Sequence, residues 1–299
     1  MSKVMIIINP SSGKEKAGKI LPNAEKVLGE MYDQVTVLKT KGEGDATEFA
    51  KEACAKRYDA VISMGGDGTV NEIVNGLAEQ DHRPVFGIIP LGTVNDFARS
   101  LGIPLNPEAA IDIIKDRKMK ESDIGKINDR YFMNVLAAGP IAEATYNVSV
   151  EQKTRLGSFA YFMEGAKAVI KKNPFPLTVE HDQGRWIGEA HLLIATMTNS
   201  VGGFERLAPD AEVNDGKLHT FIIKDLSLPL LLKIIPSLMK GEIKEHDEVE
   251  YIQTSKLHLS TPEDIKVNID GDEGFLLPFQ ATVLNKHLRL FVPGTASVE

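Results

Sequence analysis

The apolar positions of this chain follow two patterns. Up to about residue 117, short continuous apolar runs alternate with stretches of helical period. Val4–Ile8, Val35–Thr40, Ala60–Ser63 and Val85–Ile89 read as strands, and Lys16–Met31, Ala46–Arg57 and Val70–Glu79 as helices. A β-α-β-α order calls for a parallel sheet with helices on its faces. Unbroken runs such as Met5-Ile6-Ile7-Ile8 suit strands covered on both sides. Beyond that point the pattern changes. Lys118–Ile127 and Arg130–Val135 read as strands joined at Asn128-Asp129, and residues 156–171 read as a helix. Extended runs then dominate: Leu177–Glu180, Trp186–Met197, Lys217–Ile223, Ile252–Leu259, Ile265–Ile269, Ala281–Leu284 and Leu288–Val292. Turn residues separate them, at Asp182-Gln183-Gly184, Asn214-Asp215-Gly216 and Asp270-Gly271. Many short strands joined this way predict an antiparallel sandwich or barrel-like domain. The expected architecture is an α/β domain over 1–125 and a mainly antiparallel β-sandwich domain over 126–299. The extreme C-terminus is expected to pack back on the first domain, and the active site to lie in the cleft between the two.

Composition changes this picture little. With 299 residues, 42% hydrophobic and 25% charged, the chain has the balance of a globular protein and length for two modest domains. A formal net charge of -8 argues against a nucleic-acid binder. Cys54 is the only cysteine, so no intramolecular disulfide forms, which suits a reducing compartment; within Ala53-Cys54-Ala55 it reads as a small buried residue. The Val4–Ile8 run is too short for a signal peptide, and no apolar stretch approaches a membrane span. The seven histidines show no metal-ligand spacing, and Trp186 reads as a packed strand residue. The apolar stretch Asp225–Lys240 has two readings, a lipid-facing helix and core packing, of which core packing is favoured.

Candidate chemistry concentrates in three turns that follow predicted strands of the first domain. They are Asn9-Pro10-Ser11-Ser12-Gly13, Gly65-Gly66-Asp67-Gly68-Thr69 and Pro90-Leu91-Gly92-Thr93-Val94-Asn95-Asp96. Glycine lets backbone approach a phosphate, and a helix starting after the turn aims free N–H groups at it. The hydroxyls of Ser11, Ser12, Thr69 and Thr93 can add hydrogen bonds. Turns at the C-terminal ends of parallel strands share one edge of the sheet. Taken singly, the first also reads as a helix-capping turn and the third as a plain loop. Three glycines around one acid in the second are harder to read as punctuation. Neither a Walker A pattern nor a GxGxxG fingerprint is present.

Gly65-Gly66-Asp67-Gly68-Thr69-Val70-Asn71-Glu72 resembles the nucleotide motif of the diacylglycerol kinase catalytic domain, shared with sphingosine and ceramide kinases. NAD kinases and 6-phosphofructokinases carry a related element. Asn9–Gly13 resembles that family's first motif, and Leu91-Gly92-Thr93-Val94-Asn95-Asp96-Phe97-Ala98-Arg99 its third. Asn214-Asp215-Gly216-Lys217-Leu218 and Asp270-Gly271-Asp272 fall where bacterial soluble lipid kinases place metal and catalytic elements. The order of five motifs, from Asn9 to Asp272, identifies the chain as similar to those enzymes.

The resemblance implies a lipid kinase that uses ATP and Mg²⁺, with diacylglycerol as the first-choice acceptor. Asn9, Pro10, Ser11, Ser12, Gly13, Thr40, Gly66, Asp67, Gly68, Thr69, Val70, Asn71, Glu72 and Thr93 would contact ATP. Asp67 would act near the phosphates through magnesium. Asp215 would hold a structural magnesium with backbone carbonyls near Glu212 and Lys217. Asp270 and Asp272 would contain the catalytic base. Many relatives have Asp-Gly-Glu here, whereas this chain has Asp-Gly-Asp followed by Glu273, so either carboxylate fits the role. Without the family context, two acids around one glycine read as a solvated hairpin turn. The resemblance further implies a cytoplasmic protein, peripheral at the inner membrane surface, with transient membrane contact and a homodimer through the first domain. Two alternatives stay open: a NAD kinase-like enzyme acting on a soluble acceptor, and a lipid- or nucleotide-binding regulator without turnover.

Overall fold

The computed structural model describes residues 1–13, 16–139, 173–202, 206–225 and 227–294. The helix expected over 156–171 lies outside them. The chain divides into two compact units, Met1–Ile124 with the chain from Asn285 onward, and Gly125–Leu284.

In the first unit the strands are β1 (Lys3–Ile8), β2 (Gln34–Lys39), β3 (Ala60–Gly65) and β4 (Val85–Pro90). They pair in parallel in the order β2-β1-β3-β4, with Val4 beside both Val35 and Ala60. The helices are α1 (Lys16–Met31), α2 (Asp45–Ala55), α3 (Asp67–Leu77), α4 (Asp96–Ser100) and α5 (Pro107–Lys115). Val4, Ile6, Ile8, Ile62 and Met64 of the sheet pack with Leu28 of α1 and Ile111 and Ile114 of α5. Both faces of β1 and β3 are buried, as their unbroken apolar runs require. Cys54 is buried on α2, and that burial pushes its thiol up to about 11.

Helices α4 and α5 were not expected from the apolar pattern. α3 starts at Asp67, three residues before the expected Val70, because the Gly-Asp-Gly-Thr segment is its first turn and not a loop. An acid there sits at the positive end of the helix dipole.

The second unit holds two antiparallel sheets. One runs β12 (Val249–Thr254), β11 (Leu218–Ile223), β10 (Leu192–Thr196), β7 (Val135–Ala138), β14 (Lys266–Ile269), β15 (Asp272–Leu276). The other joins the first half of β16 (Phe279–Phe291) to β13 (Lys256–Ser260), β8 (Phe175–His181) and β9 (Gly184–Ala190). Leu136, Leu193 and Val267 from the first sheet share a core with Phe175, Leu257 and Phe279 from the second, which makes the expected sandwich. A hairpin of β5 (Met119–Ile127) and β6 (Arg130–Phe132) leads into it. Helix α6 (Leu228–Lys240) buries Ile234 and Leu238 against Leu192, Phe221 and Val249, in line with core packing of that stretch.

Five expected strands have different bounds, for physical reasons. Trp186–Met197 breaks at His191, and Ile252–Leu259 breaks at Ser255, because the chain there leaves one sheet for the other. Both sheets face one core, so the apolar pattern does not register the crossing. Ala281–Leu284 and Leu288–Val292, but for its last residue, fall in one strand, β16, which runs on through the polar Asn285-Lys286-His287 with Lys286 at a positive φ of 50°. Arg130–Val135 breaks at Met133-Asn134 because those amides bond a carboxylate, as described below.

Candidate active-site elements

The three glycine-bearing turns leave β1, β3 and β4 at their C-terminal ends and lie together in the first unit. Asn9 N–H donates to the Met64 carbonyl at 3.0 Å, and Leu91 N–H to the Gly65 carbonyl at 2.8 Å. The side chain of Asn9 organises the first turn. Its Oδ1 accepts from Ser11 N–H at 3.0 Å and from Ser11 Oγ at 2.7 Å, while its Nδ2 donates to Thr69 Oγ1 at 3.4 Å. The second and third turns touch backbone to backbone. A Cβ added to Gly92 would lie 2.7 Å from Gly66 Cα, closer than any real contact, so only glycine fits. Gly13 takes a left-handed φ of 71°, and a Cβ there would lie 2.9 Å from the Leu91 carbonyl oxygen.

Beside these turns is a polar hollow of about 360 Å³, lined by Asn9, Pro10, Ser11, Thr40, Thr69 and Glu72 among the expected residues. Lys41, Gly42, Glu43 and Ala46 complete it. Sequence reasoning missed these four. The available signal was their place just after β2, at the same sheet edge as the other turns. Lys41 and Gly42 N–H both donate to Asp45 Oδ2, at 2.7 and 3.0 Å, which closes the β2–α2 turn. Glu72 Oε2 accepts the Ala46 N–H at 3.0 Å, and Thr47 Oγ donates to the Glu72 carbonyl at 2.9 Å, so Glu72 is tied to the start of α2. Hydroxyls, a lysine and backbone amides near the first turns of α2 and α3 form a setting suited to phosphate groups.

Other expected residues stand outside that lining. Asp67 opens α3, and its Oδ2 accepts the Asn95 N–H at 2.8 Å. Thr93 and Gly68 are exposed, and Ser12 and Gly66 are half-buried. Val70 is buried in α3, so its side chain serves the core. Asn71 is also buried, and its Oδ1 and carbonyl accept from Asn75 Nδ2 at 3.1 and 2.9 Å.

In the second unit, Asp270-Gly271 forms the two-residue loop between β14 and β15, with Ile269 paired to Asp272. Both loop residues have positive φ, 51° and 98°, the geometry of a type I′ hairpin. The hairpin reading is therefore correct as a description of the backbone. The Asp270 carboxylate nevertheless does more than face solvent. Its Oδ1 accepts from Asn134 N–H at 3.0 Å and Val135 N–H at 2.8 Å, and its Oδ2 from Met133 N–H at 2.8 Å. Asp272 differs: it is 64% exposed, with Arg130 Nη2 3.4 Å from its Oδ2. Arg130 Nη1 also donates to the Glu273 carbonyl at 2.9 Å. Glu273 itself pairs with Lys266.

Glu212, Asp215 and Lys217 lie on one loop. Asp215 Oδ1 accepts from Lys217 N–H at 2.9 Å, and its Oδ2 faces Glu212 N–H at 3.3 Å and His219 Nε2 at 2.8 Å. Burial pushes this carboxyl up, but the His219 bond and the two amides outweigh it and hold the group below the usual range. Among the described residues no three His, Cys, Asp or Glu side chains converge as a metal site. A magnesium here would rest on one carboxylate, on carbonyls and on water, a donor set that magnesium accepts.

A family model described as the diacylglycerol kinase catalytic domain matches residues 3–127. A second, described as the YegS C-terminal NAD kinase beta sandwich-like domain, matches residues 134–292. A diacylglycerol kinase of Staphylococcus epidermidis is 38% identical over 291 residues, 97% of this chain and 92% of the relative. A diacylglycerol kinase of Bacillus subtilis is 37% identical over 294 residues, 98% of this chain and 97% of the relative. The crystal structure of a diacylglycerol kinase from Bacillus anthracis superposes with a TM-score of 0.82 at 29% identity, covering 98% of this chain and 97% of that one.

Proposed function

The chain belongs to the diacylglycerol kinase family and is a lipid kinase, and from that premise we propose that it transfers the γ-phosphate of ATP, with magnesium, to the hydroxyl of diacylglycerol, giving phosphatidic acid. The observation that carries this reading is the contact of the three turns with one another at one edge of the sheet, beside a polar hollow lined by the first two and by the segment after β2. In this reading the residues from Asn9 to Gly13, Thr40, Gly66 to Glu72 and Thr93 bind ATP. Thr69 and Ser11 supply hydroxyls, the starts of α2 and α3 supply electropositive ends, and Glu72 holds the two helices in register.

Phosphoryl transfer is mostly positioning and charge stabilisation. The acceptor oxygen forms its bond to the γ-phosphorus as the bond to the ADP oxygen breaks, and the hydroxyl proton passes to a carboxylate. We assign that role to Asp270. Its three amide bonds fix the orientation of its carboxylate, as a positioned general base requires. A strong base is not required where the transition state is loose. Asp272, exposed and facing Arg130, is the weaker candidate. Magnesium, when bound, neutralises phosphate charge; Asp67 would hold it beside the nucleotide, and Asp215, with the carbonyls of Glu212 and Lys217, would hold a second, structural ion. The lipid acceptor brings the protein to the inner membrane surface from the cytoplasm; among the described residues no helix is long and apolar enough to cross a membrane.

The test is transfer of labelled γ-phosphate from ATP to a lipid panel in mixed micelles, with NAD as a soluble acceptor in parallel. Labelled phosphatidic acid, lost in Asp67→Asn and Asp270→Asn, is the expected result. Label on NAD and none on lipid would overturn it.

A further inference from the structure

We infer that Asn95 is a positioning residue: its side chain clasps the third turn so that its own N–H holds the Asp67 carboxylate in place. The inference rests on the reading of Asp67 as part of the nucleotide site. Asn95 is 5% exposed and lies in the left-handed region, at φ 55° and ψ 50°. Its side chain makes two reciprocal bonds to one residue. Oδ1 accepts the Gly92 N–H at 3.1 Å, and Nδ2 donates to the Gly92 carbonyl at 2.8 Å. Its N–H then donates to Asp67 Oδ2 at 2.8 Å.

The chain of constraint runs back to the sheet. Gly92 is pressed between Gly66 Cα and Asn95 Oδ1, since a Cβ on it would lie 2.7 Å from each. The adjoining Leu91 N–H is bonded to the Gly65 carbonyl. The third turn is thereby locked to the second at three places, and the Asn95 N–H has one direction in which to point.

The residue type fits the task. Asparagine tolerates the left-handed region better than most residues, and it alone offers both a donor and an acceptor at this length. Aspartate would keep the Gly92 N–H bond but lose the donor and add a charge beside Asp67. Glycine would keep the backbone conformation but give up both bonds.

A merely structural turn and a positioning device differ in their coupling to Asp67. The experiment is a double-mutant cycle of wild type, Asp67→Asn, Asn95→Gly and the double variant. It is read on kcat and KM for ATP, on the calorimetric Kd of magnesium–ATP, and on Tm. Asn95→Gly is expected to lower Tm through its two lost bonds, to lower kcat by about 10- to 100-fold at temperatures where the variant is fully folded, and to add nothing to the kinetic loss in the Asp67→Asn background. Where turnover of Asp67→Asn is below detection, the cycle is read on Kd. If Asn95→Gly does not fold, Asn95→Asp takes its place. Effects that multiply independently, a loss that tracks Tm alone, or wild-type kinetics in Asn95→Gly would each overturn the inference. Wild-type turnover in Asp67→Asn would instead overturn the reading of the nucleotide site.

Discussion

Asp67 and Asp270 each stand beside glycines in a turn, yet the two units hold them by different means. Asp67 sits on the first turn of a helix, and an amide of the third turn, donated by Asn95, reaches it from 28 residues away along the chain. Asp270 sits on a two-residue hairpin loop and takes three consecutive amides of a strand that breaks to supply them. A parallel sheet brings the C-terminal ends of all its strands to one edge, so short turns distant in sequence combine there. An antiparallel sheet has no such edge, and there an acid is placed by register and by interruption of a neighbour. The carboxylate of Asp270 is therefore part of how its sheet is built, whereas that of Asp67 is an addition to a sheet already complete.

The largest expected effect would break this comparison if it failed. Asp270→Ala leaves three amides without their acceptor and should destabilise the protein by about 3 kcal/mol or more, seen as a lower urea midpoint. Asp67→Ala should shift that midpoint little while reducing turnover by about 100-fold or more. Equal midpoints for the two variants would mean that Asp270 is not structural. Next in size is Gly92→Ala. Its Cβ meets backbone at Gly66, which cannot swing away, so the second and third turns must part. We expect a loss of about 1–3 kcal/mol in stability, together with a calorimetric loss of ATP affinity of about tenfold or more.

Arg130→Met sharpens the assignment of the base in the second unit. Asp272 is the exposed member of its pair with the half-buried Arg130, and the pair is open to solvent on that side, so its loss should cost about 1 kcal/mol or less. If Asp270 takes the proton, lipid phosphorylation by Arg130→Met should stay within about threefold of wild type. A collapse of kcat with an unchanged Tm would move the role to Asp272.

The smallest effect concerns pH. Asp182, in the β8–β9 turn, accepts from Ser255 N–H and Oγ, each at 2.8 Å, at the point where the chain changes sheets. Those bonds hold its carboxyl below the usual range. A lowered folded-state value means that the contribution is complete above the unfolded value and fades as pH falls through the folded one. The Tm advantage of wild type over Asp182→Asn should thus be constant near neutrality and shrink below about pH 4. An advantage that held unchanged into strong acid would point to packing as its source.

Much of this architecture was legible in one dimension. The parallel sheet showed in unbroken apolar runs, because strands buried on both faces need no polar alternation. The three turns showed because glycine beside hydroxyl residues after a strand is an uncommon local pattern. Even the sandwich showed, in the count of short strands and turn residues. What did not show were the places where one apolar run serves two sheets, at His191 and Ser255, and where one strand runs on through a polar triplet, Asn285-Lys286-His287, with a positive φ at Lys286.

The sequence by itself determined which residues can make each element: hydrophobic period and turn chemistry are local, and they set the strands, the helices and the candidate acids. Only the tertiary structure decided what those acids are bonded to. The amides that hold Asp270 come from Met133 to Val135, the amide that holds Asp67 comes from Asn95, and the glycine contact that makes this possible joins Gly66 to Gly92. The reason is physical. A hydrogen bond is made over about 3 Å in space, and separation along the chain says nothing about which backbone N–H will arrive there until the sheets have set their order and register.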